Sequence, residues 1–231
     1  MKTNRLFVYK CVVDNGGAPC LDNDLLTLTI CKPYIRSTAK KGDIVFAFGS
    51  NNDTISNRLV YIAEVSERVE NARYFNEERF SRRPDCIYQF ESDDHLVIRR
   101  NAKFHRAGEN MSSDVGRWPD YSLANALVSE DFRYFGSSGT DDWKINAPHL
   151  KELVENLGQG HRVNFSQALR TELVALKSAI WYKYNRGKVL GRPQHGIAAC
   201  DTDESSSFIK ICPKKCFSSP IASGKRRASP H

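Results

Sequence analysis

The hydrophobic period of this sequence changes from two residues to about 3.6 residues near residue 145. Before that point, stretches rich in β-branched and aromatic residues alternate with turn signals, which is typical of β-strands. We predict strands over residues 5–13, 25–31, 43–49 and 58–65, weaker strands over 86–90, 96–99 and 126–129, and a short helical turn over 70–75. Strands first and helices last, without βαβ alternation, predict an α+β domain with a mainly antiparallel sheet that can be barrel-like.

Two helices are predicted after residue 145. The first begins at Asn146 and Pro148 and ends at Gly158. Asn164, with Gln167 three residues later, resembles a capping box that begins the second. The apolar faces consist of Leu150, Leu153, Val154 and Leu157 in the first helix and Phe165, Leu169, Leu173, Leu176, Ile180 and Tyr184 in the second. We therefore expect both helices to pack one face against the sheet.

The positive charge of the chain is concentrated at its C-terminal end. The chain carries a formal net charge of +7, and residues 205–231 hold six basic residues and no acidic one. Residues 1–204 are nearly neutral, with 28 basic and 27 acidic residues. We predict one α+β domain over 1–204 and a basic, disordered tail over 205–231, which can bind phosphates nonspecifically or be solvated.

Composition and motifs exclude several classes of protein. A hydrophobic content of 40% supports a globular core. No apolar run is long enough to span a membrane, and the N-terminal residues do not resemble a secretory signal. We therefore expect a cytoplasmic protein. The seven cysteines are expected to be reduced, and the Cys212–Cys216 spacing is not a standard zinc pattern. Phosphate-binding, dinucleotide-binding and common hydrolase motifs are missing from the sequence. We expect neither a metal nor a cofactor.

A strand that ends at Pro33 leaves a thiol and two cations together, in Cys31, Lys32 and Arg36. The planar guanidinium of Arg36 matches a phosphate or a purine edge, and Lys32 offers a point charge. The same residues also suit a solvated basic turn, and nothing in the sequence lowers the pKa of Cys31.

Two further loops carry candidate binding residues. Ser50, Asn51 and Arg58 lie between two predicted strands and can present amide groups to a ligand, although the segment also suits a simple hairpin. Tyr134 precedes a Gly/Ser-rich loop over 136–140, a combination that suits base stacking beside a phosphate.

The long polar segment over 101–121 carries His105, Asp114, Arg117 and Trp118. A segment of this length in a compact domain often serves function. His105 and Asp114 can form a general acid–base pair, with the carboxylate orienting the imidazole. The alternative is a poorly ordered excursion with a surface histidine.

A series of short motifs resembles the second type of the nucleotide-modification-associated domains, which occur in bacteria and phages. The resemblance covers residues 6–190 and depends on the order of Thr29-Ile30-Cys31-Lys32-Pro33, Ile35-Arg36, Lys41-Gly42-Asp43, Phe48-Gly49-Ser50, Arg58-Leu59-Val60-Tyr61, Ser129-Glu130-Asp131-Phe132-Arg133-Tyr134-Phe135-Gly136 and Gly160-His161-Arg162-Val163-Asn164-Phe165. The two strands around residues 43–65 are similar, more loosely, to PUA-like readers of modified bases. The resemblance implies a link to modified DNA bases or their nucleotide precursors.

Three hypotheses for function follow. The first is a binding module that recognises a modified base or nucleotide in DNA modification or antiphage defence. Its candidate binding residues are Lys32, Arg36, Ser50, Asn51, Arg58, Trp118 and Tyr134. The second is a transferase or hydrolase acting on such a base or nucleotide through His105 and Asp114, or through Cys31. The third is a module that binds a protein partner through the two C-terminal helices.

Overall fold

The computed structural model describes residues 4–106, 108 and 110–197. The strands are β1 (Leu6–Lys10), β2 (Cys20–Asp22), β3 (Leu25–Leu28), β4 (Ile44–Phe48), β5 (Leu59–Glu64), β6 (Glu67–Val69), β7 (Tyr88–Phe90), β8 (Leu96–Ile98), β9 (Ala126–Ser129), β10 (Asp131–Tyr134), β11 (His161–Arg162) and β12 (Lys188–Val189). The α-helices are α1 (Pro33–Thr38), α2 (Met111–Val115), α3 (Pro148–Asn156) and α4 (Gln167–Lys183). Short 3₁₀ helices occupy Arg73–Phe75, Glu78–Phe80, Gly136–Ser138 and Asp142–Asn146.

The strands form three sheets, most of whose pairs are antiparallel. A six-stranded sheet has the order β11-β1-β4-β5-β10-β12, a four-stranded sheet the order β2-β3-β9-β6, and β7 pairs with β8. Parallel pairing joins β1 to β4 and β10 to β12. The predicted α+β class is confirmed. The six-stranded sheet has two edges and is therefore open, without the barrel closure that the sequence left possible.

The inner strands of the six-stranded sheet, β1, β4, β5 and β10, are buried on both faces. Along β1, Leu6 and Val8 contact the helices α3 and α4, whereas Phe7 and Tyr9 face the four-stranded sheet. A β-bulge between Ala47 and Phe48 interrupts this alternation in the neighbouring strand pair. Because of this irregularity, Leu59 lies on the face of the sheet that packs against α3 and α4, whereas Tyr61 lies on the opposite face. The alternating sequence pattern predicts that both residues share one face.

Helices α3 and α4 cover the outer face of this sheet, as the 3.6-residue period predicts. Leu150, Val154 and Leu173 are buried there. The capping residues differ from the predicted ones. Ala147 precedes α3 at the N-cap, and the hydroxyl of Ser166 accepts a hydrogen bond from the Leu169 amide at the start of α4. Ser166 has the extended backbone that an N-cap requires, and its oxygen lies within reach of the first turn.

A third apolar cluster lies beyond the four-stranded sheet. It packs the β7–β8 hairpin and the segment over 101–121 against aromatic residues such as Tyr74 and Phe80. Phe104, Val115 and Tyr121 from the long segment are buried in it, and α2 lies within that segment. The described part of this segment is thus packed against the domain, which rules out a loose excursion.

The predicted basic tail over 205–231 and the cysteines Cys200, Cys212 and Cys216 lie outside the described residues, so the predicted division at residue 204 stays a prediction. Within the described part of the chain, no helix is both long and apolar enough to cross a membrane.

Candidate active site

Cys31 lies between strand β3 and helix α1. Its backbone and that of Lys32 are in the left-handed region, with φ of 56° and 43°, a conformation that costs free energy in residues other than glycine. Pro33 then begins α1, because its fixed φ suits a first helical position. The Cys31 side chain is half-buried at the edge of the aromatic cluster.

The thiol of Cys31 differs from the other described thiols in its exposure. Burial raises the pKa of those three thiols, which are Cys11, Cys20 and Cys86, and for Cys86 to about 11. All three are buried. Within residues 4–106, 108 and 110–197, Cys31 is therefore the thiol that a reagent can reach most readily.

His105 approaches this thiol from the long segment that follows β8. Its Nε2 lies 3.8 Å from the Sγ of Cys31, within hydrogen-bonding distance for sulfur. The His105 side chain is 5% exposed, and its φ of 51° makes it a third left-handed residue at the site, after Cys31 and Lys32. The ring is therefore held in place and still contacts a half-exposed thiol.

Asp114, in helix α2, fixes the other side of the imidazole. Its Oδ2 lies 2.6 Å from Nδ1 of His105 and accepts a hydrogen bond from the Tyr88 hydroxyl at 2.8 Å. Its Oδ1 accepts the backbone N–H of Cys31 at 2.7 Å. Asp114 is 1% exposed. One carboxylate thus holds both the histidine ring and the backbone of the cysteine.

Tyr88 is a donor to this carboxylate that the sequence did not single out. Burial, followed by the charge of Asp114, raises the pKa of Tyr88 well above its usual range. The hydroxyl therefore stays protonated and keeps donating to Asp114. Tyr88 lies in a predicted weak strand, and no local pattern distinguishes it from an ordinary buried tyrosine.

Arg36 connects the segments that carry Cys31 and Asp114. Its Nε donates to the carbonyl of Cys31 at 2.6 Å, and its Nη2 donates to the carbonyl of Asp114 at 2.7 Å. Nη1 donates to the carbonyls of Leu123 and Asn125. The side chain is 0% exposed. Burial thus removes Arg36 from the phosphate-binding surface that the sequence analysis expected.

Arg58 and Tyr134 are also buried, and they meet at Asp14 rather than at a surface. The Tyr134 hydroxyl lies 2.8 and 2.9 Å from the two carboxylate oxygens of Asp14, and Arg58 Nη2 is 4.0 Å from Asp14. Arg58 also pairs with Asp53 and donates from Nε to the carbonyl of Gly136. Burial raises the pKa of Asp14 despite the hydrogen bond from Tyr134. In this structure, neither Arg58 nor Tyr134 reaches the surface where a base or phosphate would bind.

The predicted residues Ser50 and Asn51 lie in a loop whose polar groups form hydrogen bonds with other residues of the protein. Asn51 accepts from the ammonium of Lys10 at 2.6 Å and donates to the carbonyl of Glu155 at 3.1 Å. The Ser50 amide donates to Asp53 at 2.9 Å. Burial lowers the pKa of Lys10 to about 8. None of these hydrogen bonds joins the loop to Cys31 or His105.

Lys32 and Trp118 lie on the segments that carry the thiol and the carboxylate. The Lys32 ammonium donates to the carbonyl of Gln159 at 2.8 Å and lies 5.1 Å from the centre of the Tyr9 ring. Trp118, four residues after Asp114, is 55% exposed and stacks on His95 with ring centres 4.8 Å apart. Trp118 therefore offers an open aromatic face.

Metal-ligand clusters are not evident in the region described. Among residues 4–106, 108 and 110–197, no group of three or more His, Cys, Asp or Glu side chains is arranged to hold a metal ion. The polar groups around Cys31 instead have the order that nucleophilic catalysis uses: a thiol, an imidazole that can take its proton, and a carboxylate that orients the imidazole.

Comparison with known proteins gives a family match for the chain. A family model described as nucleotide modification associated domain 2 matches residues 3–199. No curated protein and no solved structure matches the chain. The looser likeness to PUA-like readers therefore stays a prediction.

Proposed function

The chain belongs to the nucleotide modification associated domain 2 family, and from that premise we propose that it is an enzyme of nucleotide modification with Cys31 as its nucleophile. It acts as a hydrolase or transferase on a modified base or nucleotide. His105 is the general base and acid, and Asp114 orients the imidazole. The proposed setting is DNA base modification or antiphage defence, in the cytoplasm.

The observation that carries this proposal is the hydrogen-bonded order of Cys31, His105 and Asp114. The two contacts measure 3.8 Å from the Cys31 Sγ to the His105 Nε2 and 2.6 Å from the His105 Nδ1 to the Asp114 Oδ2. They match the contacts that an activated nucleophile needs. Left-handed backbone at Cys31 and His105 supports the proposal, because strained conformations persist where the surrounding structure imposes them and cluster at active sites.

The chemistry follows from the tautomer in which His105 Nδ1–H donates to Asp114. Nε2 then accepts the thiol proton, and Sγ attacks the carbonyl carbon of an acyl group on the modified nucleotide, so an S–C bond forms and the carbonyl electron pair moves to oxygen. When that pair returns, the bond to the amine or alcohol breaks, and the leaving group takes the proton from His105. Water, or an amine acceptor, then attacks the thioester and restores the thiol.

The direct test is the pH dependence of Cys31 alkylation by iodoacetamide, measured at the peptide level by mass spectrometry in the full chain. We expect His105→Gln to slow alkylation of Cys31 near neutral pH by at least about tenfold, because the variant lacks the imidazole that accepts the thiol proton. We refer to Cys31, His105 and Asp114 as the triad. The matched control is His95→Gln, which removes a histidine outside the triad. Equal alkylation rates in wild type and His105→Gln would contradict the proposal.

Turnover supplies the second readout. DNA that carries acylated pyrimidines, and the corresponding free nucleosides, are incubated with the protein and analysed by mass spectrometry. Cys31→Ser and His105→Gln are each expected to lower the rate by about 10²–10⁴-fold. A mass change that persists in Cys31→Ser would exclude this thiol as the nucleophile.

Recognition of a modified base without catalysis is the second candidate function, and the exposed ring of Trp118 favours it. An aromatic face that is 55% exposed is suited to stacking on an unpaired base. A reader would bind modified oligonucleotides equally well after His105→Gln and would leave their mass unchanged. It would lose affinity after Trp118→Ala.

A further inference from the structure

An exposed aromatic ring lies in helix α1, shortly after the candidate nucleophile. Tyr34 is 57% exposed and follows Cys31 by three residues, so their Cα atoms are at most about 11 Å apart. The Tyr34 ring stacks on the imidazole of His161, with ring centres 6.3 Å apart and an angle of 21° between the ring planes. A ligand that stacks on the open side of Tyr34 therefore lies in the neighbourhood of Cys31.

The partner of Tyr34 belongs to the edge strand β11. In the pairing of β11 with β1, His161 lies opposite Tyr9 and Arg162 lies opposite Val8. Arg162 is exposed, and its Nη1 donates to the carbonyl of His161 at 3.3 Å. A guanidinium has five N–H donors, so this contact leaves most of them for a ligand. We refer to Tyr34, His161 and Arg162 as the β11 cluster.

The imidazole of His161 lies in a positive electrostatic potential. Burial lowers its pKa, and the charges of Lys32 and Arg162 lower the pKa further. The Lys32 ammonium donates to the carbonyl of Gln159 at 2.8 Å and acts on the imidazole through its charge. Among the described residues, no carboxylate offsets these two cations at the ring. The β11 cluster is therefore suited to an anion.

The side chains of the β11 cluster match two parts of one ligand. An exposed aromatic ring stacks on a base, and a guanidinium binds a phosphate through two parallel hydrogen bonds. A neutral imidazole still carries one N–H donor, which can bond to the same phosphate. A nucleotide holds a base and a phosphate together, so one molecule can contact all three residues.

We infer that the β11 cluster is the subsite that binds the nucleotide part of the substrate, with a base on Tyr34 and its phosphate at His161 and Arg162. This inference rests on the proposed function and names the residues that hold the substrate of the same site near Cys31. A free nucleotide and a nucleic acid strand both present a phosphate beside a base, and the experiment below includes both.

The first experiment follows the imidazole C–H resonance of His161 by NMR in the full chain, over a pH range of about 5 to 8. His161→Gln assigns the resonance among those of the six histidines. The probes are thymidine 5′-monophosphate, thymidine, inorganic phosphate and a single-stranded thymidine oligonucleotide of about 12 nucleotides. We expect the monophosphate or the oligonucleotide to raise the pKa of His161, because a bound phosphate stabilises the imidazolium.

The pattern of shifts decides the outcome. A shift with the monophosphate supports the subsite and a free nucleotide, and a shift with the oligonucleotide alone supports the subsite and a nucleic acid strand. An unchanged pKa of His161 with both probes would overturn the inference. An equal shift with inorganic phosphate at the same concentration would also overturn it, because the β11 cluster would then bind any small anion.

The second experiment compares variants by isothermal titration with the probe that shifts His161. Tyr34→Ala and Arg162→Gln are each expected to weaken binding about tenfold, through the loss of stacking and of a charge-assisted hydrogen bond. Tyr34→Phe keeps the ring and is expected to keep the affinity. The matched controls are Tyr182→Ala and Lys151→Gln, which remove an exposed tyrosine of α4 and an exposed cation of α3. Equal affinities in Tyr34→Ala, Arg162→Gln and the two controls would contradict the subsite.

Protection of the thiol tests the position of the subsite. At about ten times its Kd, the probe occupies about nine-tenths of the protein, and we expect alkylation of Cys31 to slow several-fold. An unchanged alkylation rate at that occupancy would overturn the placement beside Cys31. Cys31→Ser is expected to bind the probe with wild-type affinity. The dependence of Cys31 alkylation on His105, measured without nucleotide, tests the proposed function separately.

Discussion

Arg36 shows how a residue that looks suited to a ligand can instead hold the protein together. Its guanidinium donates to four backbone carbonyls, two of which belong to Cys31 and Asp114. A lysine cannot replace this arrangement, because a single ammonium lacks the planar set of donors. From the interior of the protein, Arg36 therefore joins the backbone segments that carry the thiol and the carboxylate.

Tyr88 permits a test of positioning at the residue scale. Tyr88→Phe removes the hydroxyl that donates to Asp114, and we expect a loss of about 1 kcal/mol in the free energy of unfolding. We also expect a changed pH profile for Cys31 alkylation, because the carboxylate that orients His105 loses one of its fixed donors. The profile is obtained from the rate of Cys31 alkylation at pH values between about 5 and 9.

Tyr121→Phe is the control for that variant. The Tyr121 hydroxyl accepts the backbone N–H of Leu96 at 2.7 Å, also in the interior, but it does not bond to the triad. Its loss is expected to lower stability without changing the pH profile. The same profile change in both variants would mean that Tyr88 acts only through general stability.

Contacts between elements, as much as patterns within them, decide where the helices of this domain begin. The N-terminus of α3 is covered by Glu172 of α4. The carboxylate of Glu172 accepts the backbone N–H groups of His149 and Leu150 at 3.2 and 2.7 Å, and one oxygen lies 2.6 Å from His149 Nδ1. A side chain from the neighbouring helix thus satisfies amides that a local cap leaves without partners.

The pH dependence of stability tests this contact. Burial alone would raise the pKa of Glu172, but the hydrogen bonds from His149 and Leu150 lower it below its usual value of 4.5. Because the folded pKa is the lower one, the stabilisation is present above 4.5 and is lost as the pH falls through the folded pKa. We expect Glu172→Gln to cost about 1 kcal/mol near pH 7 and less as the pH falls below 4.5.

Urea unfolding at the two ends of that pH range measures the difference. The control is Glu152→Gln, an exposed glutamate on α3, which is expected to change stability little at either pH. A cost for Glu172→Gln that stays constant across the range would show that the carboxylate charge has no part in the contact.

The whole domain is layered, and its candidate active site and its helical layer border different apolar clusters. Helices α3 and α4 cover one face of the six-stranded sheet, the four-stranded sheet covers the other, and the aromatic cluster with Cys31 and His105 lies beyond it. Effects of substitutions in separate clusters are usually independent. Stability and active-site geometry can therefore be separated by mutation.

Leu173→Ala and Phe104→Ala test that separation. Both side chains are buried, Leu173 against the sheet under the helices and Phe104 in the aromatic cluster beside His105. Each is expected to lower the free energy of unfolding by about 2–5 kcal/mol. We expect only Phe104→Ala to change the pH profile of Cys31 alkylation in the folded protein. A changed profile in Leu173→Ala would show that the layers are coupled.

The sequence by itself determined the element types, because periodicity acts over a few residues. Strands over 43–49 and 58–65, two amphipathic helices after residue 145 and the α+β class were all predicted and are present. The pairing of His105 with Asp114 was also within reach as a hypothesis, since nine residues separate them. Local rules could not predict the cap at Ser166, the bulge beside Phe48 or the parallel pairing of β1 with β4.

Only the tertiary structure decided which polar residues meet. Cys31 is 74 residues from His105 in the chain, and no periodic pattern relates the two. Their contact depends on the packing of the long segment against the aromatic cluster and on the hydrogen bonds of Arg36 and Asp114. The same packing buried Arg36, Arg58 and Tyr134, because side-chain exposure is set by distant neighbours that a local sequence pattern does not encode.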